Sequence, residues 1–151
     1  MKAKGTYTVK KWEENPYDQI SSEMKMTKAS IEYLMSVEIN GKAFVEYLMF
    51  DKYSDAYDQH KSSAIYIGLM RFVGILQGKE ESFVIEDHGT FDNGAANSTL
   101  QIIAGSGMGE LKGIRGTGRY GANQEGFKLN WIMILIDLSH PNIKYKMRIH
   151  L

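Results

Sequence analysis

A chain of 151 residues is long enough for one domain with a real core and short for two. Eighteen basic and eighteen acidic residues give a formal net charge of zero, which argues against the clustered excess of one sign that captures nucleic acid or anionic lipid. The absence of cysteine excludes disulfide frameworks, thiolate metal sites and cysteine nucleophiles, and a hydrophobic content of 43% excludes a disordered chain.

The opening Met1-Lys-Ala-Lys-Gly-Thr has no apolar run behind it, so no secretory signal is expected. The longest apolar stretch, Trp131–Ile136, falls far short of the roughly 20 residues that span a bilayer. The expectation is a cytoplasmic chain with no membrane partner. Period-two alternation recurs throughout and no helical period is sustained. Strands are predicted at Gly5–Trp12, Lys25–Ile39, Lys42–Phe50, Ser62–Leu76, Ser82–Phe91, Thr99–Ala104, Ile114–Ala122, Phe127–Leu138 and Ile143–Leu151. Turn signals separate them at Asn40-Gly41, Gln77 to Glu80, Asp92 to Gly94, Asn123 to Gly126 and Ser139 to Asn142. Two longer connections, Glu13–Ser22 and Asp51–Lys61, are read as loops. Many short-turned strands in series make an antiparallel meander, and closing it removes the exposed edges. The expected fold is all-β, a closed antiparallel β-barrel of about eight strands forming a single domain over residues 1–151.

The hairpins assign side chains to faces. A two-residue turn at Asn40-Gly41, the strongest short hairpin signal, pairs Ile39 with Lys42. It places Ile31, Tyr33, Met35, Val37 and Ile39 beside Phe44, Glu46, Leu48 and Phe50. That face is the more apolar and is expected to be the inner one, with Glu46 as its only carboxylate. A carboxylate there must be paired, hydrogen-bonded, protonated or wet. The hairpin at Gly78-Lys79 puts Arg71 opposite Glu86 and Leu69 opposite His88, while the other side carries Tyr66, Gly68, Met70, Phe72, Phe83, Ile85, Asp87 and Phe91. Both sides are apolar, so the inner one stays open. If the Arg71 side is internal, Glu46, Arg71, Glu86 and His88 share a cavity. The candidate ligand-binding residues are therefore Glu46, Tyr33, Met35, Leu48, Arg71 and His88.

The last hairpin sets Trp131, Met133 and Leu135 in a row on an outer side, the expected interface of a homo-oligomer. Gly116-Thr-Gly118-Arg-Tyr-Gly121 matches a G-x-G-x-x-G string, but a turn follows it where a dinucleotide site needs a helix. The four histidines lack ligand spacing. No metal, no cofactor and no nucleic-acid partner is expected.

Several stretches resemble a known family: Gly5-Thr-Tyr-Thr-Val-Lys-Lys-Trp12, Lys42-Ala-Phe-Val-Glu-Tyr-Leu-Met49, Tyr66-Ile-Gly-Leu-Met-Arg-Phe-Val-Gly74, Ser82-Phe-Val84 with His88-Gly-Thr-Phe91, and the glycine-rich run from Gly105 to Gly118. They resemble the bacterial family called domain of unknown function 3224, itself similar to the allene oxide cyclase and dirigent β-barrels. The resemblance spans Gly5 to Gly121. It implies an eight-stranded antiparallel barrel with an internal cavity, often oligomeric, and no particular activity. Three readings of function stay open. One is a barrel that binds a small apolar or aromatic ligand in its lumen, with tyrosine hydroxyls and Glu46 as polar handles. Another is a cyclase or isomerase using a lumen carboxylate, with Tyr47 or Tyr66 as donors. The third is a structural or interaction module with a filled core.

Overall fold

The computed structural model describes residues 2–55, 57, 61–125 and 128–139, with the backbone alone for residues 122–139. The strands are β1 (Lys2–Gln19), β2 (Lys25–Val37), β3 (Ile39–Tyr53), β4 (Ser63–Leu76), β5 (Lys79–Asp92), β6 (Ala95–Ile102), β7 (Arg115–Glu125) and β8 (Lys128–Ser139). The fold is all-β, with no α-helix among the described residues and a short 3-10 turn at Gly109–Leu111. Each strand pairs antiparallel with its sequence neighbour in one sheet. Lys2–Tyr7 of β1 also pairs with Ile132–Asp137 of β8. The predicted final strand, Ile143–Leu151, lies outside the described residues.

Alternation decides what is buried. On β4, Ala64, Tyr66, Gly68, Met70 and Phe72 are buried while Ile65, Ile67, Leu69 and Arg71 are exposed. On β3, Ala43, Val45 and Tyr47 are buried between exposed Lys42, Phe44, Glu46 and Leu48. The pleat aims successive side chains to opposite faces, so this division follows directly from register. The inner face forms one continuous cluster running from Ala3 and Tyr7 on β1 to Leu100, Ile102 and Tyr120.

The β2–β3 register corrects the sequence reading. Asn40 and Gly41 are not the turn. The chain reverses at Val37 and Glu38, with Val37 at φ 85°, and Met35 pairs with Gly41. Odd residues of β2 therefore face odd residues of β3: Ile31 meets Val45, and Ala29 meets Tyr47. Glu46, Leu48 and Phe44 consequently lie on the outer face. Both residues of the apparent turn signal have other employment. The Asn40 side-chain amide donates to the Val37 carbonyl at 2.8 Å. Gly41 sits directly opposite Gly74, and a β-carbon on either would lie 2.7–2.8 Å from the partner's Cα. Only glycine permits so close a backbone approach.

The other tight turns fall closer to expectation. Gln77-Gly78 (φ 52° and 78°) and Asn93-Gly94 (φ 51° and 76°) are two-residue turns with the paired positive φ of a type I′ hairpin. The first shifts the β4–β5 register by an even step from the predicted one. The face groupings survive, but Arg71 pairs with Val84 and Glu86 with Leu69. The predicted loop Glu13–Ser22 is strand as far as Gln19. It extends an exposed β1–β2 hairpin whose register shifts fall at Val9/Lys11 and at Pro16/Asp18, so Pro16 sits at a bulge, where its missing N–H is tolerated.

One end of the inner face is sealed. Residues 103–114 fold back over the start of β5. Ile103 N–H donates to Val84 O and Met108 N–H to Ser82 O, each at 2.9 Å. The Ser106 hydroxyl accepts from Val84 N–H at 3.0 Å and lies 2.6 Å from Ile103 O. This closure buries Leu111 and Ile114 beside Phe72, Phe83, Ile85 and Ile102. No helix among the described residues is long and apolar enough to cross a membrane.

Candidate functional site

Beyond the sealed end, the inner face changes character. Asp87 follows Phe83 and Ile85 in the alternation of β5 and is completely buried. Its register partners are Gly68 on β4 and Leu100 on β6. Gly68 in turn pairs with Tyr47 of β3, whose ring lies over the glycine: a β-carbon at Gly68 would meet it at 2.6 Å. The absent side chain thus gives Tyr47 the room to reach across β4 to the carboxylate. The Tyr47 hydroxyl donates to Asp87 Oδ2 at 2.5 Å and lies 2.9 Å from the Tyr120 hydroxyl. Tyr66 and Ser98 share a hydroxyl–hydroxyl bond of 2.5 Å in the adjoining layer.

Five tyrosines are buried here: Tyr7, Tyr33, Tyr47, Tyr66 and Tyr120. Tyr7 stacks on Tyr33, with ring centroids 4.6 Å apart and planes inclined at 19°. It also meets Tyr120 edge-on at 5.4 Å, and Tyr47 meets Tyr66 edge-on at 5.1 Å. Such stacked and edge-to-face pairs hold rings in fixed relative orientation. The Tyr7 hydroxyl points to the Met70 sulfur at 3.5 Å.

The electrostatics follow from burial. Loss of hydration pushes the Asp87 carboxyl up to about 6, against the hydroxyls of Tyr47, Ser98 and Tyr120, which favour the charged form. Burial raises all five phenols, and the Asp87 charge raises them further, so each stays a neutral hydroxyl. Asp87 Oδ1 is buried without a hydrogen-bond partner among the described residues. An unsatisfied buried carboxylate oxygen costs about 1–3 kcal/mol or more, so it is a feature to be explained. No lysine, arginine or histidine among the described residues is buried with it.

Of the residues singled out from sequence, Tyr33 and Met35 lie inside, at 3% and 2% exposure. Glu46 lies outside, where it accepts from the Ser30 hydroxyl at 2.5 Å. Leu48 is exposed as well. Arg71 is on the outer face and reaches the Ser82 hydroxyl at 3.4 Å, and His88 points outward from the position next to Asp87. The shared cavity of Glu46, Arg71, Glu86 and His88 therefore does not form. Trp131, Met133 and Leu135 belong to β8, and their side chains lie outside the described residues. Tyr47 and Tyr66, considered as inward donors, do face inward. The residue missed was Asp87. It stood among Tyr66, Met70, Phe72, Phe83 and Ile85 as the only carboxylate of that face, a signal as good as the one that singled out Glu46. No group of histidine and carboxylate side chains suited to a metal ion occurs among the described residues.

Comparison with known proteins agrees with this architecture. A crystal structure of a Shewanella oneidensis MR-1 protein of unknown function from the DUF3224 family is similar at 19% sequence identity and a TM-score of 0.65, covering 93% of this chain and 98% of that one. Among curated proteins none matches. The family model described as protein of unknown function (DUF3224) matches residues 3–131. The chain belongs to the DUF3224 family.

Proposed function

We propose that this protein binds a small molecule with an apolar or aromatic body in the interior of its sheet, closed as a barrel, and that Asp87 is the polar anchor of the site. The pairing of Lys2–Tyr7 with Ile132–Asp137 supports closure and, with it, the likeness to allene oxide cyclase and dirigent barrels. The observation that carries the reading is Asp87 Oδ1, a buried acceptor with no described partner, set among tyrosine rings. A site with a few convergent polar groups on an aromatic lining suits a ligand fixed by one or two hydrogen bonds.

The test is native mass spectrometry of freshly purified protein together with a small-molecule thermal-shift screen. The expected result is a retained or added ligand in the wild type that is lost in Asp87→Asn. Bare protein in the mass spectrum, with no compound that stabilises wild type over Asp87→Asn, overturns the reading.

A second reading is favoured by one observation, the carboxyl poised near pH 6 beside the Tyr47 hydroxyl. A group so tuned exchanges protons readily at neutral pH, as a cyclase or isomerase requires. Its mark is wash-in of solvent deuterium at a ligand carbon, abolished by Asp87→Asn. Binding without wash-in leaves the first reading alone.

A further inference from the structure

The interior carries one formal negative charge and no described countercharge. We infer that the molecule it receives is a small organic cation, a protonated amine or quaternary ammonium, held between Asp87 and the faces of the surrounding tyrosines. The inference rests on the binding reading above and names the chemical class of its ligand.

The hydrogen-bond inventory favours a ligand that donates. The Tyr47 hydroxyl is committed to Asp87 Oδ2, Tyr120 is bonded to Tyr47, Tyr66 to Ser98, and Tyr7 to the Met70 sulfur. What remains unfilled is an acceptor, Asp87 Oδ1. An anion is repelled, because the arginines and histidine flanking the site, Arg71, His88 and Arg119, are exposed. A neutral donor satisfies Oδ1 but leaves the buried charge uncompensated, which is the expensive part of burying a carboxylate. A cation satisfies both, and aromatic faces attract it independently through their quadrupoles. The ring geometry offers such faces: Tyr7 and Tyr33 form a stacked wall, and Tyr47 and Tyr66 a corner.

The approach is from the end opposite residues 103–114. There the inner positions in register next to the Asp87 layer are Thr27, Met49, Tyr66, Gly89, Ser98 and Tyr120. Tyr66 and Ser98 close over the carboxylate by a single hydroxyl–hydroxyl bond, which is the contact a ligand has to part.

The experiment titrates the whole protein with cations graded in size, methylammonium, tetramethylammonium, choline and benzyltrimethylammonium. Each is matched to its neutral carbon isostere, such as 3,3-dimethylbutan-1-ol for choline. Binding is read by the shifts of labelled tyrosine rings in NMR spectra. The expected result is saturable binding of at least one cation, roughly tenfold or more tighter than its isostere. Asp87→Asn should remove that preference, while Tyr66→Phe, which keeps the ring face, should preserve it. Equal or tighter binding of a neutral isostere overturns the cationic assignment and leaves the binding site standing. Silence of the tyrosine signals to every cation and every isostere overturns both.

Discussion

The two ends of the inner face are built from the same alternation and do opposite things. At the sealed end, Phe72 and Phe83 pack 5.1 Å apart, in one apolar cluster with Met70, Ile85, Leu111 and Ile114. One layer further, the same strands present Tyr47, Asp87, Tyr120, Tyr66 and Ser98, hydrogen-bonded to one another around one unsatisfied oxygen. Apolar burial needs only volume and shape, whereas a buried carboxyl needs every partner placed. The sealed end therefore carries stability. The hydroxyl-lined end spends some of it, which is the usual mark of a site.

Substitutions that shorten each end measure the contrast. Phe72→Ala should be the most damaging, lowering the unfolding free energy in urea by about 3–5 kcal/mol through lost burial and an unfilled cavity. A loss under about 1 kcal/mol would show that the apolar end does not anchor the fold.

The next largest effect is a pH dependence at the other end. Asp87 is held at about 6 in the folded chain against an ordinary value of 3.8, so between these the folded state binds the extra proton. Stability should fall as pH rises from about 4 to about 7 and then level off, by about 3 kcal/mol in all. Asp87→Asn should flatten that slope, and an unchanged slope would place the proton elsewhere. Tyr47→Phe removes a donor that favours the charged carboxyl. It should cost about 1–3 kcal/mol at neutral pH and move the midpoint of the pH transition upward. Smallest of all, Glu46→Gln on the outer face should stay within about 0.5 kcal/mol, as its exposed contact with Ser30 implies.

What the sequence made legible was local. Alternation placed the strands, and the signals from Gln77 to Glu80 and from Asp92 to Gly94 marked real turns, the first centred on Gln77-Gly78 where Gly78-Lys79 was expected. Asn40-Gly41 carried the same signal and misled, because Gly41 answers a demand from the paired strand β4, the close passage of Gly74. One misplaced turn moved the whole inner face of β3 from Tyr47 to Glu46. Hydrophobicity gave no correction, since the outer positions Phe44, Leu48, Ile65, Ile67 and Leu69 are as apolar as the inner ones. Asp87 was hidden for the same reason: two greasy faces leave the interior undecided until the register is known. The bulged, polar extension of β1 through Pro16 was unreadable by alternation, being exposed on both sides.

The contact of Gly41 with Gly74 acts as a latch on alignment. Were β4 to slide by one position along β3, Val73 or Ile75 would arrive opposite Gly41 with a β-carbon where only bare backbone fits. The same slide would carry Gly68 out from under the Tyr47 ring. Two residues with no side chain, lodged near one rim of the sheet, thereby dictate which phenol greets the acid at its centre.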